Sequence, residues 1–119
     1  DFGISCCGPA PRFVLKIIAA NSVWQRAGGL LIRPMLLEGE VLWLRPCWSV
    51  HTFGMRYSIG VFFLDRNNTV VHVRPYVPPN RIVCFVGARS VCEMLPIRVD
   101  HCDGVSAKLE RVLSLNTVM

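Results

Sequence analysis

The hydrophobic pattern of this chain is that of short strands separated by turns. Residues 13–20 and 40–44 are rich in apolar and β-branched side chains, which favours strands. The clearest pattern starts with the continuously apolar stretch 59–64, continues through turn-forming residues 66–68 and returns in a second apolar stretch at 69–73. Because Asn67 and Asn68 belong to a residue type that tolerates the left-handed backbone of tight turns, this segment predicts a β-hairpin.

The remaining segments predict further short elements. Prolines at 75, 78 and 79 indicate a loop, and strands are expected at 82–86 and 89–94. A helix over residues 23–27, capped by Asn21 or Ser22, and a second helix over 105–113 complete the pattern. We therefore expect an α+β, β-rich fold in which a curled or partly closed, mostly antiparallel sheet carries one or two short helices.

Length and composition indicate one domain. The chain has 119 residues, of which 52% are hydrophobic and 18% charged, enough for a single core and too few residues for two. We divide it into a loose lead-in (1–11), a β-rich core (12–95) and a tail with helical character (96–119). No apolar run approaches the ~20 residues of a membrane-spanning helix, and the start lacks the pattern of a secretory signal.

The charge balance makes an anionic partner conceivable. The formal net charge is +5, and 11 of the 13 basic residues are arginine, whose planar fork suits carboxylates and phosphates. The arginines are dispersed along the chain, and no nucleic-acid-binding motif accompanies them, so nucleic acid is not expected as a partner. An anionic small molecule or a protein partner remains open.

The six cysteines predict neither a zinc ribbon nor a thioredoxin-like site. None of them forms a Cys-x-x-Cys pair. Cys84 and Cys92 lie in apolar runs, where a free cysteine behaves as a small buried hydrophobe. An even number permits disulfides without requiring them, so the redox compartment stays open.

Five short motifs occur in an order that resembles one known family. They are Arg26-x-x-Gly29-Leu30-Leu31-x-Arg33, Gly39-Glu40-Val41-Leu42, Cys47-x-Ser49-Val50-His51-Thr52-Phe53-Gly54-Met55-Arg56, Phe63-Leu64-Asp65 and Gly87-Ala88-x-x-Val91-x-Glu93. Over residues 14–95 the chain resembles the bacterial and archaeal family catalogued as domain of unknown function 192. The resemblance implies a fold but no established activity. It also implies a cell-envelope location, because family members frequently carry signal peptides; without such a signal the protein would be cytoplasmic.

The chain departs from the family pattern at two places. After the Met-Arg pair the family usually continues with an aromatic residue and then Pro-Ile-Asp, whereas this chain has Ser58, Ile59 and Gly60. The usual Leu-Pro-Ala-Gly becomes Leu95-Pro96 followed by Ile97 and Arg98. If the family's Asp is functional, the protein is altered at that point.

The candidate binding residues are His51, Thr52, Arg56, Arg33 and Arg26. His51 changes charge near neutral pH, and the arginines could hold a carboxylate or phosphate. The competing interpretation is structural: His51 bonds a backbone group beside a turn at Gly54, and Arg26 and Arg33 pair with acidic residues of the sheet. The acidic candidates are Glu38, Glu40 and Glu93.

A metal site would combine His51 with soft or imidazole ligands from Met55, Cys47, His72 or His101. No two of these have a recognised ligand spacing, so no metal and no cofactor is expected.

These observations leave more than one function open. The first is a small β-rich module that binds a ligand or partner in a groove near His51, Arg56 and Arg33. The second is an enzyme with His51 as general base and Thr52 or Cys47 nearby. The third is an accessory protein of the cell envelope.

Overall fold

The computed structural model describes residues 16–20 and 36–118, and within these it describes the side chains of all but residues 19, 20 and 116–118. The strands are β1 (Lys16–Ala20), β2 (Glu40–Leu44), β3 (Ser49–His51), β4 (Ile59–Leu64), β5 (Val70–Val77), β6 (Ile82–Cys84) and β7 (Ser90–Met94). A 3₁₀ helix (Val99–His101) leads into helix α1 (Cys102–Val118).

Five of the described strands form one open sheet in the order β1-β2-β7-β4-β5. The β1–β2 pair is parallel, and the other three pairs are antiparallel. The strands β3 and β6 pair antiparallel in a separate two-stranded sheet. The expectation of a β-rich, mostly antiparallel α+β fold is confirmed, with one helix near the C-terminus.

The central sheet is covered on both faces. On one face α1 packs its apolar stripe (Val105, Leu109 and Leu113) against side chains that include Phe62 and Cys92. On the other face the two-stranded sheet places Val50 and Val83 over a cluster that includes Leu42, Val61, Phe63 and Val91. Strand β4 is therefore buried at all six positions, which explains why its sequence is continuously apolar rather than alternating.

The β4–β5 hairpin follows the chemistry of its turn. Asn68 has a left-handed backbone (φ 62°), as expected for this residue type. The Asp65 carboxylate accepts hydrogen bonds from the backbone N–H of Asn67 (2.8 Å) and Thr69 (3.0 Å), so this acid caps the turn. The Glu110 carboxylate of α1 accepts from the N–H of Val70 (2.9 Å), which ties the helix to the hairpin.

The expectation that Pro75 opens a loop is wrong, because β5 continues through it to Val77. The pairing shifts between Ile59↔Val77 and Val61↔Arg74, so two residues of β5 face one residue of β4 at a bulge. Pro75 belongs to an edge strand, where no neighbouring strand requires its missing N–H. Its carbonyl accepts from the N–H of Ile97 (3.0 Å).

Other boundaries differ modestly from expectation. The strand expected at 82–86 ends at Cys84, and the helix expected at 105–113 extends over Cys102–Val118. The helix expected at 23–27 lies outside the described residues. None of the described helices is long and apolar enough to span a bilayer.

Candidate functional site

Thr52 joins the His51–Arg56 segment to a second loop far along the chain. Its hydroxyl donates to the carbonyl of Pro78 (2.8 Å) and accepts from the N–H of Arg81 (2.9 Å). Its own N–H donates to the carbonyl of Arg81 (2.8 Å), and its carbonyl accepts from the N–H of Asn80 (3.0 Å). Because Thr52 is fully buried and its hydroxyl is already bonded, it holds the two loops in a fixed register.

Two positive-φ residues allow the loops to meet in this way. Gly54 (φ 81°) reverses the chain after Thr52, and Asn80 (φ 66°) reverses the chain before β6. Both residue types adopt this backbone at low cost. The expected turn at Gly54 is thus present, and the residue that locks it to the neighbouring loop is Thr52.

We call β3, β6 and the segments around them, residues 45–58 and 78–89, the outer layer. The pairs Ser49↔Cys84 and His51↔Ile82 lie on its outer face, and Val50↔Val83 lies on its inner face against the sheet. His51 is exposed, and its ring lies 5.3 Å from the ring of Phe53 in a tilted arrangement. Within the described part of the chain no hydrogen bond to the His51 ring is recorded.

The outer layer exposes large apolar side chains. Ile82 is 63% exposed, Phe53 43% and Trp48 53%. Cys84, expected to be buried, is exposed, because its strand belongs to a two-stranded sheet whose outer face meets solvent; Cys92, in the central sheet, is buried as expected. An exposed apolar surface of this kind is a common feature of interaction sites.

The charges of the outer layer all have one sign. Residues 45–58 and 78–89 contain no Asp or Glu. They contain Arg56, Arg81 and Arg89, which are exposed, whereas the Arg45 guanidinium lies 3.9 Å from the centre of the Trp43 ring. Four of the arginines that look dispersed along the sequence therefore belong to one layer, whose own segments contain no acid.

The predicted site residues fall into three groups. His51 and Arg56 are exposed in the outer layer, and Thr52 is buried beside them. Arg26 and Arg33 lie outside the described residues, so their approach to His51 stays a prediction. Glu93, one of their proposed partners, is fully buried on the sheet face that the outer layer covers, and Glu40 accepts from the N–H of Leu37 (2.9 Å).

Sequence reasoning considered Arg81, as an alternative to Arg56, for a shared anion site with Arg26 and Arg33, but it did not single out Ile82. The signal of Ile82 is weak, since an aliphatic residue shortly after a Pro-Pro-Asn turn is equally typical of a buried strand. Only the pairing of Ile82 with His51 places it on the outer face.

Two of the residues considered for a metal site have other contacts. The His72 ring stacks on Phe85 (4.9 Å between ring centroids), and the Cys47 thiol donates to the carbonyl of Ser49 (3.1 Å). In the described part of the chain, no group of three or more His, Cys, Asp or Glu side chains could hold a metal ion.

A family model confirms the resemblance. The model of DUF192, described as "Uncharacterized ACR, COG1430", matches residues 10–106. The chain belongs to this family. No match was found among curated proteins.

Two crystal structures share the DUF192 chain's fold. One is a protein of unknown function from Novosphingobium aromaticivorans, with 17% identity, a TM-score of 0.60 and coverage of 80% of this chain and 68% of that one. The other is described as a "putative transcription regulator" from Sinorhizobium meliloti, with 14% identity, a TM-score of 0.63 and coverage of 75% and 74%. At these identities the likeness concerns the fold alone.

The structure gives a physical reason for the departure from the usual DUF192 pattern at Gly60. A Cβ atom at this position would lie 3.2 Å from the carbonyl oxygens of both Leu95 and Pro75. A side chain at Gly60 would therefore crowd two backbone carbonyl oxygens, which can move only if the backbone shifts. Gly60 lies opposite the bulge in β5, and the missing side chain leaves room for the Pro75 carbonyl.

A cavity of about 310 Å³ lies near the start of α1, beside the beginning of β2 and the end of β7. Its floor includes Val41, Met94 and Val105, and its rim carries Glu38 and Arg98. Arg98 is already engaged with Asp100 (3.1 Å), and that contact lowers the pKa of the exposed Asp100 carboxyl. None of the proposed site residues lines this cavity.

Proposed function

We propose that this protein is a binding module whose outer layer, with His51, Thr52 and Arg56, binds an anionic ligand or partner. Arg26 and Arg33, which lie outside the described residues, are proposed from the sequence alone to contribute to the same site. The observation that carries the proposal is the composition of this surface. Exposed Phe53 and Ile82 lie in a layer whose own segments contain arginines and no carboxylate. Apolar contact area supplies binding free energy, and exposed arginines favour an anion.

Within this proposal the three residues of the motif have different roles. His51 offers an exposed ring beside Phe53, and Arg56 offers an exposed guanidinium. Thr52 does not reach the ligand; it positions both by fixing the loop that carries them.

The enzymatic alternative receives no specific support from the geometry. A histidine base needs an orienting acid or a nucleophile within hydrogen-bond reach. Across the strand from His51 lies Ile82, and the hydroxyl of Thr52 is committed to Pro78 and Arg81. The binding proposal, in contrast, requires no acid or nucleophile beside His51.

Thermal stabilisation by defined anions tests the proposal. Inorganic phosphate, a sulfated oligosaccharide and an oligoglutamate peptide are added separately, and the melting temperature and affinity are measured, since a ligand of the native state raises stability. The Arg56→Ala/Arg81→Ala protein is expected to lose about two- to thirtyfold in affinity, because each exposed charge pair contributes ~0.2–1 kcal/mol.

The matched control is Arg74→Ala/Arg111→Ala, which removes two exposed arginines from β5 and α1. It changes the net charge by the same amount but leaves the outer layer intact. Equal losses in the two double variants would show a general charge effect and would contradict the proposed surface.

A further inference from the structure

The hydrogen-bond register of the outer layer leaves one strand edge open. The N–H of Thr52 donates to the carbonyl of Arg81 (2.8 Å), and the N–H of Phe85 donates to the carbonyl of Trp48 (3.0 Å). In an antiparallel pair such bonded positions alternate, so Val83 bonds to Val50. The N–H and C=O groups of the intervening residues, Ile82 and Cys84, therefore point away from β3.

No other described strand lies beside β6 on that side. No hydrogen bond of the described residues uses the outward N–H or C=O of Ile82 or Cys84. The outer edge of β3 is less available, since the carbonyl of Ser49 already accepts from the Cys47 thiol (3.1 Å). Of the two edges of the outer layer, that of β6 is thus the more open one.

The surroundings of this edge select the chemistry of an occupant. Ile82 (63% exposed) and the exposed Cys84 give an added strand apolar contacts on the outer face. Arg81 precedes the edge and Arg89 follows it, and residues 78–89 contain no acid. A second copy of this chain would bring the same positive layer against itself, whereas an acidic segment would meet opposite charge.

We propose that the open edge of β6 receives an extended, acidic peptide segment of a partner protein as an added β-strand. This inference rests on the proposed binding function and specifies its partner and mode. The main chain of the added strand bonds to Ile82 and Cys84, its apolar side chains pack beside Ile82, and its carboxylates meet Arg81. Main-chain bonds supply affinity in such complexes, and alternate side chains supply specificity.

The length of the edge limits what it can hold. Strand β6 has three residues, between Asn80 with its positive φ and the turn at Gly87 (φ 108°). Such shortness is a common protection of an edge against unspecific pairing, so a side-chain requirement on the partner is expected in addition to the main-chain bonds.

The experiment uses a capped peptide of alternating valine and glutamate and two backbone-methylated forms of it. One form carries N-methyl groups on the valines and the other on the glutamates, so that each blocks one edge of the extended peptide. Strand addition predicts that one methylated form binds at least tenfold more weakly than the parent and that the other stays within about twofold. Equal binding of all three peptides, or equal weakening of both methylated forms, overturns the inference.

Variants of β6 provide the complementary test. Ile82→Pro removes an N–H that the β3–β6 pairing does not use, so the fold is expected to persist while peptide binding falls at least tenfold. Ile82→Thr keeps the N–H and is the matched control. Full peptide binding by Ile82→Pro overturns the inference. On peptide addition, slower hydrogen exchange at Ile82 and Cys84 supports it, and unchanged exchange overturns it.

The two proposals fail in distinguishable ways. In one outcome, the peptide binds with an affinity that falls in the Arg81→Ala variant but does not change on N-methylation. That result would support the anion-binding surface and overturn strand addition. The same conclusion follows if the sulfated oligosaccharide or phosphate binds and the peptide does not bind at concentrations up to about millimolar. If every anion loses the same affinity in the outer-layer double variant as in the control double variant, the proposed function fails as well.

Discussion

The two faces of the central sheet are covered in different ways. On the helix side, Val105, Leu109 and Leu113 close over the sheet and are fully buried. On the other side, the outer layer buries Val50 and Val83 beneath it and exposes Phe53 and Ile82 above it. The helix turns one apolar stripe to the sheet, whereas the outer layer has apolar side chains on its inner surface and also among the exposed residues of its outer surface. The helix side of the sheet is therefore closed by fully buried side chains, whereas the covering on the other side also keeps large apolar side chains in contact with solvent.

The largest expected effect comes from breaking the helix side. Leu109→Ala leaves a cavity at a position with no solvent exposure and is expected to destabilise the protein by about 2–5 kcal/mol. Chemical denaturation measures this loss. Leu115→Ala on the same helix, where the side chain is 65% exposed, is the matched control and is expected to stay within about 0.5 kcal/mol.

Ile82→Ala tests the outer layer by the same measurement of unfolding free energy. It removes a side chain of the same size and similar exposure as that of Leu115, so it is also expected to change stability by no more than about 0.5 kcal/mol. A loss comparable with that of Leu109→Ala would mean that Ile82 is part of the core, and the two faces would not differ as described.

The second prediction concerns the joint that holds the outer layer in register. Thr52→Val preserves shape but removes the hydroxyl, so the carbonyl of Pro78 and the N–H of Arg81 lose their bonds to it. We expect a loss of about 2 kcal/mol in the free energy of unfolding, since an unsatisfied buried polar group costs about 1–3 kcal/mol. Thr52→Ser, which keeps the hydroxyl, is expected to retain most of the stability. Equal losses in the two variants would assign the effect to packing.

The Thr52 joint also shows where sequence reasoning ends. The hairpin was predictable, because β4 is apolar throughout and Asn68 suits its turn. The contacts of Thr52 were not, because they depend on the register between loops that are 29 residues apart in the case of Arg81. A hydroxyl next to a histidine indicates chemistry and structure equally well, and only the position of the other loop separates the two.

The exposed face of the outer layer was hidden for a related reason. An apolar run such as Ile82–Cys84 is typical of a buried strand, and local sequence does not show whether a second layer covers it. The continuation of β5 through Pro75 was likewise unpredictable, since it depends on a bulge opposite Gly60 and on a bond from the distant Ile97.

The third prediction tests this bulge. Gly60→Ala places a methyl group 3.2 Å from the carbonyl oxygens of Leu95 and Pro75, both parts of the backbone. We expect a loss of roughly 1–2 kcal/mol, at the lower end of the cost of overpacking. Gly104→Ala, where an added Cβ meets nothing within 4 Å and the residue lies in α1, is the control and is expected to be neutral or stabilising. A neutral Gly60→Ala would show that the bulge can move.

The smallest expected effect is the pH dependence of stability contributed by Cys92, the buried thiol on the helix side. Burial on the helix side, together with the neighbouring Glu93 carboxylate, raises the pKa of the Cys92 thiol far above its ordinary value of 9.0. The unfolded chain therefore loses this proton first as the pH rises, so the contribution of Cys92 to stability is complete below about pH 9 and declines above it. The slope contributed by one thiol is at most about 1.4 kcal/mol per pH unit. Cys92→Val is expected to reduce the alkaline slope of the free energy of unfolding by up to this amount. An unchanged alkaline slope in Cys92→Val, measured by denaturation at several pH values, would contradict the closed environment of this thiol.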